Sequence, residues 1–81
     1  MRALWQIALE IATGENPIPN SAKPYLAAMT NLETLSDKYG HDSAREIVLR
    51  FLCNAQMWRG ETARRIKKEL NTMLKFSANH P

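Results

Sequence analysis

The chain has 81 residues, 44% of them hydrophobic and 23% charged, proportions typical of a globular protein and not of a disordered one. Its length predicts one helical domain over residues 1–81, and its single cysteine, Cys53, excludes an internal disulfide. No apolar run approaches the roughly 18 residues of a membrane span, and the N-terminal segment lacks the apolar region of a signal peptide. We therefore expect a cytoplasmic protein with no membrane partner.

The formal net charge of +3 is unevenly distributed along the chain. Residues 59–81 carry six Lys and Arg against two acidic residues, a net charge of +4, whereas residues 1–58 carry five against six. Such asymmetry can mark the surface that binds an anionic partner, and it can equally belong to a solvated helix face.

The first half of the chain predicts two helices and a linker. Apolar residues recur at three and four positions over residues 2–13, and Gly14 ends this helix. Residues 15–20 contain two prolines, each of which lacks a backbone donor and disfavours the helical region for its predecessor, so they predict a linker. The second helix is predicted over residues 22–39, with Pro24 in its first turn. Its apolar stripe comprises Tyr25, Ala28, Met29, Leu32, Leu35 and Tyr39.

The second half predicts two more helices. Ser43 and Glu46 have the spacing of a capping box at the start of a helix over residues 43–58. Its wide apolar arc predicts the most buried helix, with Cys53 packed as a small hydrophobe. The fourth helix covers residues 61–75 and is amphipathic, and residues 76–81 form a polar tail. The sequence thus predicts an all-α fold, a compact bundle of about four helices, in which the first helix packs on its own chain or on another.

The residues that carry chemistry are few and scattered. Nucleophilic catalysis needs a base near the nucleophile, but neither histidine stands at helical spacing from Cys53, since His41 is predicted in a turn and His80 is next to the C-terminus. The spacings of zinc and calcium sites are absent, and the glycines do not cluster as in a phosphate-binding loop. We therefore expect a protein that is not an enzyme and has no metal, cofactor or small-molecule substrate.

The basic fourth helix is a candidate surface for an anionic partner. The cations of this helix and of the residue pair before it could neutralise phosphates. They are Arg59, Arg64, Lys67, Lys68 and Lys75. The alternative is an ordinary solvated face, in which Arg65 pairs with Glu61 and Glu69 one turn away. No motif that reads nucleic-acid sequence accompanies the charge.

Two tryptophans, Trp5 and Trp58, are candidate anchors of a protein interface, because Trp is over-represented among the residues that dominate binding energy. Trp58 has a second interpretation, which we favour, in which it closes the end of the core. Trp5 must be covered somewhere, and a homodimer formed through the first helix is one way to cover it.

Three stretches of the chain, Lys23–Met29, Lys38–Ala44 and Trp58–Leu70, resemble small uncharacterised helical proteins of bacteriophages and prophages. The resemblance covers about residues 20–75 and includes no motif of known chemistry, so it assigns no functional residue. It implies an accessory protein in the host cytosol that binds a host or phage protein. The sequence therefore predicts a small non-enzymatic interaction protein that binds a protein partner or itself. The alternative is a nucleic-acid-binding protein that uses the basic C-terminal helix.

Overall fold

The computed structural model describes residues 2–14 and 16–78. Within them four α-helices follow one another, and they are α1 (Leu4–Ala12), α2 (Lys23–Met29), α3 (Ala44–Asn54) and α4 (Glu61–Ala78). A 3₁₀ turn, Asn20–Ala22, precedes α2, and two antiparallel strands, β1 (Lys38–Tyr39) and β2 (Asp42–Ser43), form a hairpin before α3. The described chain is mostly helical with a small sheet, so the predicted all-α fold is confirmed only in part. None of its helices is long and apolar enough to span a membrane.

The core is one cluster of apolar side chains to which all four helices contribute. Its largest fully buried side chains are Phe51, Leu4, Ile7, Met29, Leu32, Ile66, Leu70 and Val48. Each such side chain stabilises the fold by roughly 1.5–3 kcal/mol relative to exposure. These side chains come from residues 4 to 70, so the first and the last helix share one core.

Helix α1 packs on its own chain, which settles the alternative that the sequence left open. Its first backbone N–H groups have no partner within the helix. Those of Leu4 and Trp5 donate to the carbonyl oxygens of Glu33 and Leu32, each at 2.9 Å. The loop after α2 therefore caps α1, and the predicted helix 2–13 is observed as Leu4–Ala12.

The prediction of one helix over residues 22–39 is wrong, because α2 ends at Met29. The hydroxyl of Thr30 donates to the carbonyl oxygen of Ala27 at 2.6 Å, and the Asn31 amide donates to the same oxygen at 3.4 Å. Such side-chain bonds offer the backbone an alternative to continued helix. The apolar period nevertheless continues past Met29, since Leu32 is buried.

The loop between α2 and β1 is held by Asp37. Its carboxylate accepts hydrogen bonds from the backbone N–H groups of Glu33 and Thr34, at 2.9 and 3.1 Å, which lower the pKa of Asp37. Its carbonyl oxygen accepts from the N–H of Ala44 at 2.8 Å, which ties the loop to the start of α3. Tyr39, which the predicted stripe included, is exposed on β1.

Helix α3 begins as predicted but ends early and is less buried than predicted. The Ser43 hydroxyl accepts a hydrogen bond from the N–H of Glu46 at 3.1 Å, which confirms the N-cap. The helix ends at Asn54 and not at residue 58. Part of the expected apolar arc faces solvent, because Leu49 and Cys53 are exposed and Met57, in the connection that follows, is 74% exposed.

Helix α4 extends three residues beyond its predicted end at residue 75. Residues 76–78 of the predicted tail are therefore helical, and residues 79–81 lie outside the described chain. Arg45, in the first turn of α3, donates to the carbonyl oxygen of Leu74, near the end of α4, at 2.9 Å. This hydrogen bond joins the start of α3 to the last turns of α4.

Candidate binding surfaces

The outer surface of α4 carries a line of cations. Successive helical residues are about 100° apart, which places Arg64, Lys68 and Lys75 within roughly 40° of one another. All three are exposed, whereas Ile66 and Leu70 on the opposite side are buried in the core. The three cations extend over about 16 Å of helix at a rise of 1.5 Å per residue. They form, with the exposed Arg59 just before the helix, what we call the basic stripe.

The basic stripe is electrostatically uncompensated within the described residues. None of its four side chains forms an ion pair there. One acidic residue, Glu61, lies near the stripe at the start of α4, and its negative charge is stabilised there by the helix dipole. The polar side chain between the cations is Asn71, whose amide donates to the carbonyl oxygen of Lys67 at 2.8 Å.

Lys67, which the sequence grouped with the stripe, has a different environment. Its ammonium group donates to the carbonyl oxygen of Trp58 at 2.6 Å and lies 5.8 Å from the centre of that indole ring. Burial, and secondarily the charge of Arg59, lower the pKa of Lys67. Lys67 therefore links α4 to the connection before it. Of the five predicted cations, Lys67 has a structural role, and the other four form no ion pair within the described residues.

Ion pairs between the α1 region and α4 neutralise two acidic residues, Glu10 and Glu69. Arg2 lies 2.8 Å from Glu10 and binds Glu69 through two nitrogens, at 2.7 and 3.0 Å, while Arg65 pairs with Glu10. Within the described residues Arg65 therefore pairs with Glu10 and not with Glu61 or Glu69, which the sequence had suggested. Arg65 and Arg2 lower the pKa of Glu10, and Glu69 and Glu10 raise that of Arg2.

The two tryptophans lie in opposite environments. Trp58 is 3% exposed and packs edge-to-face on Phe51, with ring centroids 6.1 Å apart and the planes at 71°. This confirms the core interpretation, so Trp58 offers no surface anchor. Trp5 is 40% exposed.

Trp5 has an exposed apolar neighbour that the sequence analysis did not single out. Leu9, one turn further along α1, is 52% exposed, and residues four apart lie on the same side of a helix. Exposed polar residues, Gln6 and Thr13, border this pair. We call Trp5 and Leu9 the apolar pair. The sequence pattern that could have identified this pair is the four-residue spacing of two apolar residues beside the buried face of α1.

A polar cleft of about 460 Å³ lies between the end of α1 and the start of α4. The Asn16 amide crosses its mouth and donates to the carbonyl oxygen of Arg59 at 2.9 Å. Gly60 has a φ of 118°, a conformation that side chains disfavour, and a Cβ there would overlap Asn16. Glu10 in this cleft is held by arginines that lower its pKa, which suits an ion pair and not a general acid near neutral pH.

The residues suited to nucleophilic or metal chemistry do not come together in the described chain. His41 lies in the turn of the β-hairpin, and Cys53 is exposed on α3. No group of three or more His, Cys, Asp and Glu side chains in residues 2–14 and 16–78 is arranged to hold a metal ion. His80 lies outside the described residues. The two candidate surfaces are therefore the apolar pair on α1 and the basic stripe on α4.

Comparison with protein-family models, with curated proteins and with solved structures finds no match to this chain.

Proposed function

We propose that this protein is a non-enzymatic interaction protein that binds a protein partner through the outer face of α1. The observation that carries the proposal is the apolar pair, in which Trp5, 40% exposed, and Leu9, 52% exposed, lie one helical turn apart. Single exposed apolar residues are ordinary on protein surfaces, but adjacent ones rimmed by polar groups are typical of interaction sites.

The position of the pair suits insertion into an apolar groove of a partner. A helix that binds in this way presents anchors at positions i and i+4, and Trp is the residue most enriched among dominant anchors. Helix α1 is already held by its buried face and by the capping of its N-terminus, so no ordering of the helix opposes binding. The partner surface that fits is a cleft that accepts an indole and an isobutyl group side by side.

The resemblance of residues 20–75 to small phage and prophage proteins supports an accessory role of this kind. A phage-like protein of this size is more often an accessory that binds a host or phage protein than an enzyme. We include this origin and location in the proposal. The partner of this chain would then be a bacterial or phage protein with an apolar cleft.

The test is capture of partners from bacterial lysate by the immobilised protein, followed by measurement of Kd with the purified partner. Trp5→Ala should weaken that binding by roughly 30-fold or more, which corresponds to the loss of about 2 kcal/mol expected of a dominant anchor. The matched control is Met57→Ala, since Met57 is exposed on a different element. A partner that binds wild type and both variants equally would overturn the proposal.

Self-association is a separate outcome of the same experiment. Light scattering on the purified protein should show a species whose mass does not depend on Trp5. A dimer that dissociates on Trp5→Ala would identify a second copy of this chain as the occupant of the apolar pair, and would contradict the proposed heterologous partner.

A further inference from the structure

We propose that the basic stripe on α4 is a second binding surface, and that its partner is double-stranded DNA. This inference does not depend on the apolar pair, because the two surfaces lie on different helices and have different chemistry. It depends on the placement of Arg64, Lys68 and Lys75 on one exposed side of α4, with Arg59 exposed just before the helix.

The charge of the stripe is available to a ligand because the fold pairs two acids of α1 and α4, Glu10 and Glu69, with arginines outside the stripe. Arg2 and Arg65 neutralise Glu10 and Glu69 in a network whose net charge is zero. Glu10 and Glu69 therefore do not compensate the stripe. Glu61 is the acid of α4 that remains near it, so the four cations keep a net positive local potential. Such a potential attracts polyanions, and cations brought to DNA phosphates release condensed counterions, which is the main source of affinity that is independent of sequence.

The shape of the surface favours duplex DNA over other nucleic acids. Helix α4 presents an exposed side from Arg64 to Lys75. An α-helix with its side chains is about 10–12 Å wide, close to the roughly 12 Å of the B-DNA major groove. The major groove of duplex RNA is too narrow for side chains to enter. Single-strand binding relies on exposed aromatic rings as stacking platforms. Trp58, next to Arg59, is buried, and the exposed Phe76, next to Lys75, lies about 100° round α4 from that lysine and so off the stripe.

The stripe also carries side chains of the types that contact bases. Arg64 and Asn71 lie on the same side of α4, one before and one after Lys68. Arginine commonly binds guanine and asparagine adenine in the major groove, while lysine more often contacts phosphate. The proposed contact is therefore one helix laid along the groove, dominated by phosphate contacts.

The experiment is a fluorescence-anisotropy titration of random-sequence duplex DNA at several salt concentrations, using the full chain. If all four cations contact phosphates, the affinity should fall with salt with a log–log slope of about −3 to −4. The double variant Arg64→Gln/Lys68→Gln should reduce the magnitude of that slope by about 2 and weaken binding at least tenfold at about 0.1 M salt.

A matched variant separates the stripe from net charge alone. Lys23→Gln/Lys38→Gln removes the same charge from exposed residues of α2 and β1. It should leave the salt slope unchanged and change the affinity by less than about threefold. The proposal is overturned if both double variants weaken binding equally, or if wild type does not bind duplex DNA at low salt.

Further ligands test the choice of partner in the same assay. Single-stranded DNA, duplex RNA and vesicles containing anionic lipid should each bind more weakly than duplex DNA. Tighter binding to any of them would reassign the stripe to that partner and overturn the inference. Trp5→Ala should leave DNA binding unchanged, so a failure of the apolar pair and a failure of the basic stripe give different results.

Discussion

Helices α1 and α4 lie side by side, joined by ion pairs, and they differ in what they present to solvent. Both bury an apolar face in the same core, with Ile7 on α1 and Leu70 on α4 fully inaccessible. Their outer faces carry an apolar pair in one case and a line of cations in the other. The difference shows that the core constrains the inner face of each helix, while the outer face is free to acquire a binding role.

The largest expected difference is between a leucine-to-alanine substitution on a buried helix face and the same substitution on an exposed face. Leu70→Ala should lower the free energy of unfolding by about 2–5 kcal/mol, because it removes a buried side chain and leaves a cavity. Leu9→Ala should change it by no more than about 0.5 kcal/mol, since Leu9 is exposed. Equilibrium urea unfolding followed by tryptophan fluorescence measures both values.

If Leu9→Ala destabilised the fold as much as Leu70→Ala, the apolar pair would be part of the core and not a binding surface. If Leu70→Ala prevented folding altogether, Ile66→Val would provide a milder test of the same buried face, with an expected loss of about 0.5–1.5 kcal/mol.

Two adjacent lysines of α4 provide the next comparison. Lys67→Met should lower the free energy of unfolding by about 1–2 kcal/mol, because it leaves the carbonyl oxygen of Trp58 without its charged donor. Lys68→Met should be neutral to within about 0.5 kcal/mol, since Lys68 is exposed. Urea unfolding of the two variants checks this order.

For DNA affinity, substitution of Lys68 should have the larger effect and substitution of Lys67 the smaller one. Lys68→Met should weaken duplex binding more than Lys67→Met does, because Lys68 belongs to the basic stripe and the Lys67 ammonium faces the protein. Equal effects of the two substitutions on both stability and affinity would contradict the division of the cations into free and structural groups.

The smallest effect on stability is expected from the ion pairs of Glu10, which join α1 to α4. Glu10→Gln should lower the free energy of unfolding at neutral pH by about 1 kcal/mol or less, the range of partly exposed ion pairs. Because Arg65 and Arg2 lower the pKa of Glu10 in the folded state, its contribution is complete above the ordinary value of 4.5. That contribution is lost as the pH falls through the lowered value of the folded state.

Urea unfolding at a series of pH values checks the sign of this effect. Wild type should lose more stability on acidification than Glu10→Gln, and the two should converge at low pH. The control is Glu33→Gln, whose side chain is exposed in the loop after α2. A variant that followed the same pH dependence as wild type would show that the carboxylate of Glu10 does not stabilise the folded state.

Much of the helical fold could be predicted from the sequence, because its signals are local. The start of α3 depends on Ser43 and Glu46, three residues apart, and the amphipathic pattern of α4 depends on a 3.6-residue period. These are properties of short segments, and the structure contains both. The separation of Arg64, Lys68 and Lys75 from the apolar face of α4 follows from the same period, so most of the basic stripe was also predictable.

Other features depended on contacts between distant residues and could not be predicted from local patterns. The apolar residues from Tyr25 to Tyr39 recur with a helical period, but α2 ends before Thr30 and Asn31. The carbonyl groups of the next two residues cap α1. A break in a helix is favoured when its backbone groups find partners elsewhere, and those partners lie some thirty residues away in sequence.

The sequence by itself determined that this chain forms amphipathic helices around one small core and that positive charge gathers on the last helix. Only the tertiary structure decided which residues remain available for binding. It buried Trp58 and left Trp5 exposed, and it fastened Lys67 while leaving Lys68 free. The physical reason is that burial and charge pairing are properties of residues brought together from distant parts of the chain, whereas helical periodicity is a property of neighbours.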